Sequence, residues 1–152
     1  MKTYTKRDLD LARLASVLDC EGCLTIRWHE GNKLSISLSV QMTSDEYCLL
    51  FKSYFGGQFH KKKQITKGGL PVFRYHASRE VAKEVIKSLY PYLLIKKSRA
   101  ELALKIHSIK LSHGGHDKRI SEKWKLAKEL VSMNSKKGGQ ISKVLQFPIP
   151  NA

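Results

Sequence analysis

Between Leu34 and Met42 the chain reads LSISLSVQM, apolar at every even position and polar at every odd one. A period of two is the period of a β-strand with one buried and one open face, and no helix can sort residues that way. Leu24, Ile26 and Trp28 alternate in the same manner with Thr25, Arg27 and His29, and EGNK between the two runs is a turn signal. The two runs therefore predict an antiparallel hairpin with one greasy and one polar face. QFHKKKQITKGGLPVFRYHAS reads as a second hairpin, with Gly68 and Gly69 in its turn.

Helical patterns separate and flank these hairpins. Thr5 and Asp8 have the spacing of a capping box, and Leu9, Leu11, Leu14 and Leu18 recur at helical intervals, so a first helix should begin near residue 6 and stop at Gly22. TSDEYCLLFKSYFGG predicts a second helix, opened by Thr43 or Ser44 with Glu46 at capping-box spacing and closed by Gly56 and Gly57. Beyond the second hairpin the chain is helical on both sides of Pro91, which must end or break the first segment, leaving a short PYLL connection. SHGGHDK is a loop, and SEKWKLAKELVSMN a last helix with Trp124, Leu126, Leu130 and Met133 available for burial. The expected fold is α+β: an αββαββα core whose four-stranded antiparallel sheet has its apolar face covered by helices. At 152 residues this is one domain, with a core over about residues 6–134 and a basic tail over 135–152.

The polar face points toward function. Thr25, Arg27, His29, Ser35, Ser37, Ser39 and Gln41 project from the first hairpin, joined by some of Gln58, His60, Lys61, Lys62, Lys63, Arg74 and His76 from the second. Alone, such a face is an ordinary solvated sheet surface. The chain, however, carries 28 Lys and Arg against 13 Asp and Glu, a formal charge of +15. That surplus favours a polyanionic partner, and a two-stranded ribbon fits the major groove of duplex DNA. By contrast Arg79, Glu80, Lys83, Glu84 and Lys87 mix both signs and read as a solvated helix face. No stretch is apolar enough for a signal peptide or a bilayer span, so a soluble, intracellular protein without membrane contact is expected. Cys20, Cys23 and Cys48 are too few for a zinc site and odd in number for a disulfide framework, and are expected as packed thiols. HGGH, at 113–116, is read as a glycine loop rather than a metal site.

Two features of the first helix remain. Ala12, Ser16 and Cys20, spaced by four, form a stripe of small residues that lets another helix approach closely. Glu21 ends the helix where the dipole disfavours an acid and where the basic face begins. It is either a solvated acid at a turn or a ligand for a divalent cation shared with phosphate.

LASVLDCEG, Leu14 to Gly22, resembles the nine-residue signature of the LAGLIDADG homing endonucleases, with Ser16 for its first glycine, Val17 and Leu18 as aliphatic replacements, Cys20 for a small residue and Glu21 for the last acid. The order of elements, the segment YPYLLIKKSRAEL and the tail MNSKKGG agree with single-motif members, and the resemblance runs from about Lys6 to about Leu145. It implies a homodimer packed through the signature helices, with Ala12, Ser16 and Cys20 at the two-fold axis. It implies that Glu21, helped by the backbone carbonyl of Cys20, binds Mg2+ (or Mn2+) at the scissile phosphate, and that Asp19 is structural. It also implies a basic residue near the active site, at Lys96 or its neighbour Lys97. In relatives a glutamine orients active-site water at the place held here by Ser44, so that role falls to Gln41 or Ser44. Double-stranded DNA would be read by Thr25, Arg27, His29, Ser35, Ser37, Ser39, Gln41, Lys61, Lys63, Arg74 and His76, with Lys136 and Lys137 of the tail on the phosphate backbone. The implied activity is that of an intron-encoded, sequence-specific endonuclease that hydrolyses both strands at a long pseudo-palindromic site and leaves short 3′ overhangs. The alternative on the same fold is a non-cleaving RNA-splicing maturase or DNA-binding protein.

Overall fold

In the computed structural model, residues 3–29, 33–111 and 119–134 are described. Residues 30–32 of the first hairpin turn, the HGGH loop and the tail with Lys136 and Lys137 lie outside them.

Helix α1, Lys6–Glu21, opens with the expected capping box: Thr5 Oγ1 accepts from the Asp8 amide at 3.2 Å, and Asp8 Oδ2 accepts from the Thr5 amide at 2.9 Å. The helix runs straight into strand β1, Gly22–His29. Only glycine fits the junction, because a Cβ on Gly22 would lie 2.5 Å from the Leu18 carbonyl oxygen and closer still to the Leu18 side chain. Strand β2 is Lys33–Met42, and helix α2 is Glu46–Phe55. The N-cap of α2 is Asp45 rather than Thr43 or Ser44, with no side-chain capping bond, so the expected capping box is not formed. Strands β3, Gln58–Ile65, and β4, Pro71–Ser78, complete the second hairpin. Helix α3, Arg79–Leu89, ends in a 3-10 turn at Tyr90–Tyr92, where Pro91 stops the α-helix as expected; α4, Lys97–Ser108, and α5, Arg119–Asn134, follow.

The four strands form one antiparallel sheet in the order β1-β2-β4-β3. Its apolar face bears Leu24, Ile26, Ile36, Leu38, Val40, Tyr75 and Ala77, all buried beneath the helices. The helices contribute Leu14, Leu18, Phe51, Val85, Ile86, Leu89, Ile106, Trp124 and Leu130 to the same core, whereas Leu126 and Met133 are only half-buried. Burying each large aliphatic or aromatic side chain is worth roughly 1.5–3 kcal/mol, so the alternation read in the sequence is also what holds the sheet to its helices. Phe51 stacks on Tyr75 with ring centroids 4.9 Å apart, fixing α2 over β4.

Candidate nucleic-acid interface and active site

Strand register decides which polar residues share the open face. The pairs Thr25 with Ser37, Arg27 with Ser35, Ser39 with His76, and Gln41 with Arg74 place all of these on one side. Gln58 pairs with His76 and His60 with Arg74, so both join that face from β3. Lys62 also reaches it, donating to Gln41 Oε1 at 2.7 Å. Lys61 does not. It pairs with Phe73, on the helix side of the sheet, and its ammonium lies 6.0 Å from the Phe73 ring. Lys63 falls in the irregular stretch between Lys61 and Ile65, where the pairing shifts register. The expectation of Lys61 on the polar face is therefore corrected by one position of strand phase, set by Phe59 opposite Tyr75.

The four strands contain no Asp or Glu, while Arg27, Lys33, Lys62 and Arg74 supply fixed positive charge on the open side. Not every residue there can touch a ligand. Ser37 is 2% exposed, and its hydroxyl lies 2.9 Å from His76 Nε2. Burial, then Arg27, Arg74 and His60, hold His76 below the usual imidazole range. His29 Nε2 lies 2.8 Å from Ser35 Oγ, so these two side chains are oriented as a pair.

At the C-terminus of α1, Glu21 is exposed and Asp19 is buried, so the two acids of the signature part company. The Asp19 carboxylate accepts three backbone N–H groups from the segment before α4: Leu94 and Ile95 on Oδ2 at 2.8 and 3.2 Å, and Lys96 on Oδ1 at 2.8 Å. Its structural role is thus to pin that segment to the helix. Lys96 is thereby drawn to the helix end, where its ammonium donates to the Asp19 carbonyl oxygen. Burial, with Arg99 nearby, holds Lys96 below the usual lysine range, opposed by Asp19 and the thiols of Cys20 and Cys23. Lys97 points elsewhere, its ammonium 5.0 Å from the Tyr90 ring, so of the two lysines Lys96 is the one beside Asp19. Gln41 lies on the open sheet face, while Ser44 is exposed in the bend before α2.

Among the described residues no three His, Cys, Asp or Glu side chains converge on a metal-sized site. Of the two signature acids only Glu21 is exposed at the helix end. A carboxylate there suits a hard cation that keeps bound water and takes its other ligands from phosphate, and does not suit a closed zinc site.

The stripe on α1 is open to its surroundings. The helix buries Leu11, Leu14, Ala15 and Leu18 against the core, and leaves Ala12 half-buried and Ser16 and Cys20 exposed. Ser16 Oγ is satisfied within the helix, donating to the Ala12 carbonyl at 3.0 Å. Cys48 is a packed thiol, but Cys20, in the last turn of α1, and Cys23, in β1 opposite Ser39, are exposed rather than packed. Sequence reasoning missed the tip of the pinned segment, where Leu94 and Ile95 are 86% and 68% exposed. Their apolarity was legible, but a buried lysine next to two exposed aliphatics inverts the usual rule. It also missed the anchors at the end of α5: Asn134 Nδ2 donates to the Leu24 carbonyl at 2.7 Å, and Arg99 to the Met133 carbonyl at 3.0 Å.

No helix among the described residues is long and apolar enough to cross a membrane. No family model matches the sequence, and no curated protein does. Solved structures do match. A crystal structure of the homing endonuclease I-CvuI with the I-CreI target DNA in the presence of magnesium superimposes with a TM-score of 0.71 at 23% identity, over 88% of this chain and 87% of that one. The archaeal intron-encoded homing endonuclease I-Vdi141I complexed with DNA gives 0.70 at 16% identity, over 93% of each chain. The LAGLIDADG homing endonuclease I-SmaMI bound to cleaved DNA gives 0.61 at 18% identity, over 94% of this chain but 49% of that one. The helix ending in an acid, the acid-free sheet beside it and these superpositions agree: the chain has the fold of the LAGLIDADG homing endonucleases.

Proposed function

We propose that the protein is a divalent-metal-dependent, sequence-specific DNA endonuclease that works as a homodimer. The observation that carries this reading is Glu21, an exposed acid at the end of α1, where the chain enters a sheet that has no acid of its own. A protein that only bound DNA would have no use for a carboxylate facing phosphates.

Glu21 and the Cys20 carbonyl would hold magnesium, with manganese as a substitute of the same ligand preference. Such an ion supplies Lewis-acid charge at a phosphate and a more acidic bound water. Lys96, already desolvated beside the helix end, would neutralise charge that builds on the phosphate during attack. Gln41 or Ser44 would orient water. Thr25, Arg27, His29, Ser35, Ser39, Gln41, Arg74 and His76 would face the major groove, with Gln58, His60 and Lys62 beside them. Ser37 would act through His76 rather than on DNA. α5 ends at Asn134, tied to β1; Lys136 and Lys137, beyond the described residues, would lie on the phosphate backbone.

One chain brings one acid, and cutting both strands needs two. The bare stripe of Ala12, Ser16 and Cys20, next to the exposed Leu94 and Ile95, is the surface through which two copies would meet. The chain spans most of I-CvuI and about half of I-SmaMI.

The test is cleavage of a library of duplexes by wild type and Glu21→Gln, with magnesium and with calcium. Wild type should cut a discrete pseudo-palindromic site with short 3′ overhangs, while Glu21→Gln binds that site and loses at least about 100-fold in rate. Failure of wild type to cut any duplex, with tight binding of structured RNA, would refute the nuclease reading in favour of a maturase.

A further inference from the structure

The middle of the basic face holds a titratable group for which the proposed reaction has no use. His76 is 9% exposed on β4 and is surrounded on every side by the sheet. Its own strand contributes Arg74, β1 contributes Thr25 and Arg27, β2 contributes Ser37, Ser39 and Gln41, and β3 contributes Gln58, His60 and Lys62. Every charged group in this set is basic or, in His60, able to become so.

The contact to Ser37 is compatible with either charge state. A serine hydroxyl can donate to an unprotonated Nε2 and, after rotating, accept from a protonated one. The 2.9 Å distance therefore survives addition of a proton. In the free protein the balance lies toward the neutral ring, for reasons of burial and of the neighbouring cations Arg27, Arg74 and His60. The negative field of a DNA groove laid over the face reverses the local balance: it offsets the two arginines and favours one more positive charge beneath them.

We propose that His76 takes up a proton when duplex DNA binds this sheet face, so that binding by this protein is coupled to pH through one buried imidazole. The inference rests on the nucleic-acid reading above. Linkage then requires affinity to rise as pH falls, by up to about tenfold per pH unit for one proton taken up, across the interval between the free and bound titration points.

The experiment uses the full chain, without divalent metal so that nothing is cut, and a short fluorescein-labelled mixed-sequence DNA duplex. Binding is followed by anisotropy at constant ionic strength from about pH 5.5 to about 8.5, the range in which imidazole titrates. Wild type, His76→Gln, His60→Gln and His29→Gln are compared. The expected result is a pH-dependent affinity in wild type whose slope His76→Gln largely abolishes, whatever its absolute affinity, and that His60→Gln and His29→Gln mostly keep. Binding that is flat with pH in wild type, or a slope unchanged in His76→Gln, overturns the proposal and leaves the DNA-binding reading intact; no binding at any pH overturns both. Because His76→Gln could disturb the sheet, the His76 imidazole is also titrated by NMR in wild type, free and with the duplex. An upward displacement of its midpoint on binding supports the proposal, and an unmoved midpoint overturns it.

Discussion

Replacing Asp19 by Asn tests whether one carboxylate holds the candidate site together. Asp19 is 7% exposed and receives three backbone N–H groups, two on one oxygen and one on the other. Asparagine keeps the shape but has a single acceptor oxygen, and its amide nitrogen would confront whichever N–H groups that oxygen leaves. Hydrogen bonds to a charged acceptor contribute about 1.5–3 kcal/mol each, which for three would be a large sum. Most of it is recoverable, because Leu94 and Ile95 are exposed and their amides can turn to water. The Lys96 amide belongs to a residue that is 6% exposed and has no such alternative. A stranded buried donor costs about 1–3 kcal/mol, so the net loss should be about 2 kcal/mol. For a chain of this length that is about 6 °C in Tm. Urea denaturation at several protein concentrations separates this loss from any effect on association. Hydrogen exchange at residues 94–96 should report local opening before global unfolding. A loss under about 0.5 kcal/mol, with protection of those amides unchanged, would refute the idea that the carboxylate anchors the segment.

Gly22→Ala should destabilise by at least about 2 kcal/mol by thermal melting, since the added Cβ meets the Leu18 backbone as well as its side chain, and the backbone cannot move aside as a side chain could. Thr5→Ala removes half of the capping box of α1 and should cost about 1 kcal/mol in the same assay. Tyr75 Oη is buried with no hydrogen-bond partner among the described residues, so Tyr75→Phe should be neutral or stabilise by up to about 1 kcal/mol. Burial pushes the Tyr75 phenol up to about 12. The unfolded chain ionises there near pH 10, so this tyrosine's contribution is complete below about pH 10 and is lost as pH rises toward about 12, a loss that Tyr75→Phe should remove from the alkaline stability curve. Leu94→Asp combined with Ile95→Asp should leave the fold intact while shifting sedimentation equilibrium toward monomer; an unchanged association constant would remove these residues from the dimer surface.

Local periodicity carried most of the architecture. The alternation of Leu34 to Met42 and the leucines of α1 encode which face is buried, because a strand and a helix each impose a fixed rotation per residue whatever lies around them. The capping box at Thr5 and the break at Pro91 were legible for the same reason: their partners lie within a few residues. The phase of β3 was not legible. In HKKK no apolar residue marks the inner face, and Lys61 rather than Lys62 falls on the helix side of the sheet, though exposed there, because Phe59 pairs with Tyr75 on the neighbouring strand. Nor could the sequence foretell that Asp19 would grip residues 94–96, or that Ser37 would be buried against His76, contacts that span 75 to 77 and 39 positions. By itself the sequence determined the elements, the buried faces and the place of Glu21 at a helix end. Tertiary structure alone decided which polar residues remain open to a ligand and which lysine stands beside Asp19, because burial and field at a side chain are set by strands and loops distant in the chain.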